Sequence, residues 1–471
     1  MLFNSLDFIL FITLFFTLWP FLKGRKNLRF SYLVIASFVF YGWWDWRFLF
    51  LIIASGLIDF LAGLAMTKFP RRRKLLLIIS VIGNIGSLAL FKYIDFGIGN
   101  VNWLFGMLGV EYRLGLTGLI LPIGISFYTF QSMSYTIDVY RGQLQPTRNI
   151  LHFFAYLAMF PQLVAGPIVR AKDLLPQLET IQPTTEAQRW QSLQLITWGY
   201  FKKVVIADSM APIINIAFNA SDPSPVSGYW WLIMVMFALQ IYCDFSGYSD
   251  IARGLARWMG YEFPLNFNHP YGATSLRDFW GRWHISLSSW FRDYVYFSLG
   301  GSRCGRTKAE GNMWITMLVS GLWHGASWTF VIWGGWHALI LSLERLTEWP
   351  KKLARLPLGR HLGAILVFAL VVVGWVFFRA DSFGQAITII KTMFSFSAGE
   401  GNWIMEQLGA KSLACMLFMI LCETYFYFGL DQVPWERSRI IRIAQPASVA
   451  LLLAACVFVR GPGSAFIYFQ F

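Results

Sequence analysis

The sequence predicts an all-α protein that threads a lipid bilayer many times, and three observations carry that expectation. Apolar residues make up 56% of the 471 and charged residues only 14%, against the roughly 25% charged of an ordinary globular chain. Apolar runs recur along the length, at Leu75–Leu90, Leu119–Phe130, Trp230–Tyr242, Ala364–Phe378 and Leu413–Cys422. With their flanks they are long enough to cross the ~30 Å hydrocarbon layer. Basic residues fall in clusters between these runs, as cytoplasmic loops of membrane proteins do. Backbone inside hydrocarbon must bond to itself, so the runs are read as helices.

The layout follows in chain order. Met1–Leu22 carries Asp7 and has neither a basic start nor a small-residue cleavage site, so it reads as a first span rather than a removed leader. Lys23, Arg25, Lys26 and Arg29 then lie in the cytoplasm, with the N-terminus outside. Two further runs return the chain to Arg71, Arg72, Arg73 and Lys74, and two more return it to Arg141 and Arg148. Leu151–Val164 is apolar but short. A full crossing there would place the loop Asn219–Gly228, which has no basic residue, inside, and the basic stretch after Ile251 outside. A re-entrant or surface helix removes the conflict, and irregular backbone at that depth requires an enclosing cavity. Met313–Leu343 is too long for one span and is followed by Lys351, Lys352, Arg355 and Arg360. A re-entrant hairpin or two short helices would keep that loop inside. The same reading puts Arg437, Arg439 and Arg442 inside and the C-terminus outside. The total is about ten to twelve spans around re-entrant segments, in one membrane domain over residues 1–471. No internal repeat is visible, which argues against a repeat-built transporter.

Composition also excludes several classes. The net charge of +14 follows from the basic loops, so no nucleic-acid partner is expected. No GxxxxGK loop occurs, against a nucleotide-driven pump. Cys243, Cys304, Cys415, Cys422 and Cys456 are scattered with no metal-type or disulfide-framework spacing. The histidines form no HExxH motif, and neither a metal nor a bound cofactor is expected.

Ionisable residues at membrane depth are functional hypotheses by default. His324, in Ser320-Gly-Leu-Trp-His-Gly-Ala-Ser-Trp328, is the first candidate. It sits between Gly321 and Gly325, a small-xxx-small pair that allows close backbone approach. Trp323 and Trp328 supply flat apolar walls. Imidazole is the side chain whose ordinary pKa lies nearest neutrality, so it can take up a proton there; the competing reading is a structural histidine bonded to a carbonyl. His284 lies in Ser275–Leu299, where Phe279, Trp283, Leu287, Trp290 and Tyr294 form one helical stripe. Asp278, Arg282, Ser289 and Asp293 form a second, and Asp278 and Arg282 are an i,i+4 pair. This describes a helix at the interface or lining a wet cavity, with His284 at the stripe's edge. His337, thirteen residues past His324, would point elsewhere on a continuous helix and is assigned a structural role. Asp244 and Asp250 are placed at a helix end, as caps or partners of Arg253 and Arg257.

At these residues the chain resembles the membrane-bound O-acyltransferase family, in the branch that acetylates alginate, cellulose and peptidoglycan. The stretches that carry the resemblance are Leu121–Gln131, Phe160–Pro167, Phe279–Tyr294 with the following Leu299–Ser302, Ser320–Trp328 and Val376–Asp381. One departure is Gly281, where a second basic residue is expected. The resemblance implies a ring of helices around a thin, funnel-shaped core, with His324 as the catalytic histidine and His284 as the second active-site histidine. Trp323, Trp283, Arg282, Asp278, Ser320, Tyr128 and Gln131 are expected to line the donor and substrate cavity. It further implies acetyl-CoA as the donor, entering over a basic face that includes Arg253, Arg257, Arg277, Arg282 and Arg303. The acceptor is a polysaccharide or a serine of a periplasmic or membrane-anchored partner acetyltransferase, and the setting is the bacterial inner membrane. His324 would take the proton of the attacking hydroxyl, and His284 would orient it or steady the oxyanion. D-alanyl transfer to teichoic acid, and a transporter or flippase without covalent chemistry, stay open beside this reading.

Overall fold

The computed structural model describes residues 1–164, 166–399, 407–428 and 439–467. Helices are the regular secondary structure of these residues, which contain no β-strand. Arg437 and residues 468–471, on which the end of the topological layout rests, lie outside the described residues. Two compact units are present: Met1–Leu193 with Ala252–Pro264, and Gln194–Ile251 with Leu265–Phe471.

The first unit begins with α1 (Leu6–Leu22) and α2 (Lys26–Gly42), followed by α3 (Leu49–Lys68), α4 (Arg73–Leu88), α5 (Ile94–Met107) and α6 (Ile125–Tyr140). Ser5 caps α1 by accepting from the Phe8 N–H at 3.2 Å. On α4, Leu75, Ile78, Ile79, Ile82 and Ile85 are all exposed. That is one helical face, apolar and outward, as a lipid-facing surface requires. The inward faces of α3, α4 and α6 close a polar network instead. Asp59 accepts from Asn84 at 2.7 Å and from the hydroxyls of Ser80 and Ser132. An acid at that depth is tolerated because these donors satisfy it. A π-helical turn at Ala89–Tyr93 joins α4 to α5.

Next come α7 (Ile150–Leu157), α8 (Phe160–Leu163) and α9 (Ala171–Glu179). At ~1.5 Å per residue neither α7 nor α8 can cross a bilayer. Every residue from His152 to Val164 is buried. The short non-crossing segment that the charge pattern required is therefore enclosed by protein rather than spread on a surface.

Helix α10 (Glu186–Tyr200) starts in the first unit and ends in the second, which goes on with a π-helix at Phe201–Ala207 and α11 (Asp208–Asn219). The long α12 (Ser227–Met259) follows. Asp244 and Asp250 lie inside α12, not at a helix end. Asp244 pairs with Lys203 and Asp250 with Lys202 of the π-helix, and Arg257 pairs with Glu262. The sequence contains no stop signal near Asp250, and the acids are satisfied laterally, so the helix continues. Gly199 and Gly247 bring α10 and α12 into backbone contact, since a Cβ on either would stand 2.6–2.7 Å from the other's carbonyl oxygen. After α12 come α13 (Leu276–Arg282), α14 (Ile285–Trp290), α15 (Arg306–His324), α16 (Trp328–Thr347), α17 (Trp349–Leu353), α18 (Gly359–Arg379), α19 (Phe383–Met393), α20 (Ala410–Tyr427) and α21 (Arg439–Phe458).

Five helical stretches among the described residues are long and apolar enough to cross a membrane: Trp46–Lys68, Pro70–Met107, Ser227–Met259, Gly359–Arg379 and Ala410–Tyr427. Leu6–Leu22 and Ala444–Phe458 are shorter apolar helices. The molecule is an all-helical, multi-pass membrane protein.

Candidate active site

His324 is presented by a helical hairpin. The Met313–Leu343 region is two helices, α15 and α16, joined by an extended turn at Gly325–Ser327. A Cβ on Gly321 would lie 2.2 Å from the Phe330 carbonyl oxygen, and one on Gly334 would lie 2.3 Å from that of Met317. Glycine is required where the two backbones touch. At Gly325 a Cβ would meet the Phe330 ring at 2.1 Å, so the small-residue pair does serve close approach. Ser327 restarts the chain as the cap of α16, accepting from Thr329 N–H at 3.3 Å.

His324 is the last residue of α15 and is 3% exposed. Its ring meets Trp323 and Trp333 edge-on, each at 5.0 Å between centroids, and Phe378 of α18 at 5.4 Å. Trp333 and Phe378 replace the wall expected from Trp328, which is 58% exposed. A hairpin turn separates Trp328 from the histidine.

The second histidine comes from a broken helix. Ser275 caps α13, accepting from Asp278 N–H at 3.0 Å, and Glu344 of α16 accepts from Leu276 N–H at 2.7 Å. The continuous helix expected across Ser275–Leu299 does not form. α13 ends at Arg282, His284 takes a left-handed conformation with φ 43°, and α14 starts at Ile285. The aromatic stripe nevertheless survives the break: Phe279, Trp283, Leu287, Trp290 and Tyr294 are all buried. His284 is fully buried, packed edge-on against Phe245 at 4.6 Å. Its Nδ1 lies 3.2 Å from Asn266 Oδ1. Burial lowers its pKa well below the ordinary histidine value.

The two histidines share one indole. Trp323 contacts the His284 ring at 6.3 Å and the His324 ring at 5.0 Å. Trp283 lies against Phe267 and Trp375, each at 5.0 Å, and Trp375 stacks on Trp333 at 5.8 Å. Ser320 is buried four residues before His324, on the same face of α15. Asp278 and Arg282 form their predicted pair at 2.8 Å, half-buried on α13. Gly281 is exposed and a Cβ there would meet nothing within 4 Å, so the departure falls on open surface. Tyr128 and Gln131 belong to α6 of the first unit, where both are buried.

His337 does not point away from the cluster. The hairpin turn makes the continuous-helix geometry inapplicable, and its ring packs at 4.8 Å on Trp333, the same indole that His324 touches. It also stacks on Phe279 at 6.3 Å. The sequence reading missed Asn266, Trp333, Trp375 and Phe378. Phe378 was within reach, because it lies in the Val376–Asp381 stretch; Asn266 carries no local signal. No cluster of three or more potential metal ligands occurs among the described residues.

Comparison with known proteins adds an independent line. A sequence model of the membrane-bound O-acyltransferase family matches residues 143–380. The chain is 41% identical to the probable alginate O-acetylase AlgI of Azotobacter vinelandii over 433 residues, 90% of this chain and 83% of the relative. It is 33% identical to the peptidoglycan O-acetyltransferase of Helicobacter pylori, over 93% of this chain and 91% of the relative. Similarity to the teichoic acid D-alanyltransferase of Bacillus subtilis is lower, 27% over 56% of this chain and 70% of the relative.

Proposed function

Because the chain belongs to the membrane-bound O-acyltransferase family, we propose that it O-acetylates an extracytoplasmic polysaccharide, with acetyl-CoA as the cytosolic donor. The polymer is of the alginate, cellulose or peptidoglycan type, reached directly or through a serine of a periplasmic partner enzyme. The observation that carries the reading is the pair of buried histidines on one indole, inside a wall of aromatic rings. His324 takes the proton of the attacking hydroxyl as its oxygen bonds to the thioester carbonyl carbon. The C–S bond then breaks, and the imidazolium returns the proton to the departing thiolate. His284 either orients a reactant or steadies the oxyanion. The aromatic wall limits water, which would otherwise compete as the acyl acceptor. Acetyl transfer is favoured over D-alanyl transfer because similarity to the acetylating relatives is higher and extends over nearly the whole chain.

Inverted inner-membrane vesicles test the donor. Acetyl-CoA labelled in its acetyl group, added to the exposed cytoplasmic face, is expected to yield base-labile acetate on polymer inside the vesicles, with free CoA released outside. Labelling that appears only with an acyl carrier protein thioester would overturn the choice of donor.

The same reading sets the orientation in the bacterial inner membrane: N-terminus outside, Arg71–Lys74 and the 253–277 stretch in the cytoplasm. A cysteine at position 72 is expected to resist an impermeant thiol reagent in intact cells and to react in inverted vesicles. Reaction in intact cells would invert the topology.

A further inference from the structure

We propose that Asn266 is a positioning residue that fixes the tautomer of His284, so that His284 Nε2 receives a hydrogen bond from a substrate O–H or N–H group and does not serve the oxyanion. This rests on the acyl-transfer reading for its chemistry, but the tautomer itself follows from geometry.

The Asn266 side chain faces several partners, and one of them settles its orientation. The backbone N–H of Ser286 lies 3.2 Å from Oδ1. A backbone amide only donates, so the atom facing it is the amide oxygen. Ser286 Oγ donates to the same oxygen at 2.9 Å, and Asn266 Nδ2 donates to Ser249 Oγ at 3.1 Å. His284 Nδ1 lies 3.2 Å from this same Oδ1. An acceptor oxygen can be met only by an N–H, so Nδ1 carries the proton. A neutral imidazole has one such proton, which leaves Nε2 with its lone pair.

The backbone supports the same assignment. The Asn266 carbonyl accepts the N–H of Ile285 at 2.9 Å, and Asn268 N–H donates to the Arg282 carbonyl at 2.9 Å. The 266–268 segment thus holds the chain on both sides of His284 and keeps it at φ 43° and ψ 53°. A non-glycine residue in that region is strained and persists only where its surroundings impose it. Phe245 edge-on and Phe267 stacked at 6.2 Å fix the plane of the ring.

The chemical consequence is a division of labour. An oxyanion hole needs donors aimed at the developing negative oxygen. A neutral His284 whose proton points at Asn266 presents a lone pair on its other nitrogen, and a lone pair repels that oxygen. What it can hold is a donor group: a hydroxyl of the acceptor other than the attacking one, or the pantetheine amide N–H of the thioester. His324 keeps the base role, because one hydroxyl proton cannot be shared between two acceptors in the transfer step.

The test uses full-length protein in lipid nanodiscs, labelled with ¹⁵N in histidine, with His284 signals assigned by their loss in His284→Gln. The wild type is expected to show a protonated Nδ1 and an unprotonated Nε2, and Asn266→Ala is expected to lose that pattern. Asn266→Ala should also lower acetyl transfer by roughly 10–100-fold, the range seen when the partner that orients a metal-ligating histidine is removed. Asn266→Asp, which keeps the accepting oxygen, should recover most of the rate. Acetyl-CoA and the amide-free S-ethyl thioacetate separate the two sources of the donor group. If the defect of Asn266→Ala appears with both thioesters, Nε2 holds a non-attacking hydroxyl of the acceptor; if only with acetyl-CoA, and as a raised KM, it holds the amide. A wild-type spectrum with Nε2 protonated overturns the proposal, as does Asn266→Ala with tautomer and rate unchanged. Should the acyl-transfer reading itself fail at His324, the spectrum still reads the tautomer.

Discussion

Replacing His324 by alanine is expected to abolish acetylation of the surface polymer while the protein stays folded and inserted at normal abundance. An alcohol is a poor nucleophile until a base takes its proton, and general-base assistance is worth roughly 10²–10⁴-fold. No carboxylate or lysine lies within Met313–Leu343 to take over the role. Glu310, the nearest acid in sequence, lies in the early turns of α15 and is engaged by Arg345 and the Ser342 hydroxyl, while Glu344 lies toward the end of α16 and is engaged by the backbone N–H groups of Leu276 and Arg277. The enclosure of His324 comes from Trp323, Trp333 and Phe378 rather than from the imidazole, so truncation leaves the walls standing. The measurement is acetate released from purified polymer by mild base, compared with wild type at matched membrane abundance. Normal acetylation in the variant would remove His324 from the chemistry and bring the transporter reading forward.

Much of this site was legible because its chemistry is local in sequence. Gly321, His324 and Gly325 lie within five residues, and the demand for a tight turn beside a buried imidazole is visible in those residue types. The apolar but short Leu151–Val164 was legible for another reason, since the charge pattern allowed it no crossing. What stayed hidden depends on partners far along the chain. The stripe from Phe279 to Tyr294 keeps its spacing across the break at His284, so periodicity reports one helix where two short ones form. No glycine marks the left-handed residue, which is held by Asn266 eighteen positions earlier. Asp244 and Asp250 looked like the end of a helix because acids are costly at depth. Lys203 and Lys202, about forty residues earlier, remove that cost. Two adjacent residues on an ordinary helix diverge by about 100°; the wider π-helical turn at Phe201–Ala207 carries both lysines to buried acids on α12.

That lysine pair supports the second large effect: Lys203→Ala is expected to deplete the protein from the membrane whatever the state of the active site. Lys203 Nζ lies 2.9 Å from Asp208 and 2.9 Å from Asp244, and all three side chains are only 2% exposed. It also donates to the Ser464 carbonyl at 3.0 Å, while Asp244 accepts the N–H of Ile467 at 2.8 Å. The cluster therefore ties the 464–467 segment to α12 as well as neutralising two acids. Its neighbour Lys202 cannot deputise, because it is bound to Asp250 at 2.6 Å and Ser246 at 2.8 Å. Breaking a buried ion pair from one side costs about 3–5 kcal/mol, since the remaining charge stays desolvated and uncompensated. Here two carboxylates would be left, against a net stability of about 5–15 kcal/mol for a typical domain. The loss should also reach the site, because Phe466 packs on Phe245 at 5.6 Å and Phe245 packs on His284 at 4.6 Å. Membrane abundance and the thermal midpoint in detergent give the readout. The triple variant Lys203→Met, Asp208→Asn, Asp244→Asn removes the charges together at similar volume, and should restore abundance that the single variant lacks. Wild-type abundance and midpoint in Lys203→Ala would show that the two acids are satisfied without the lysine. Recovery in the triple variant alone would trace the defect to uncompensated charge rather than to lost packing at position 203.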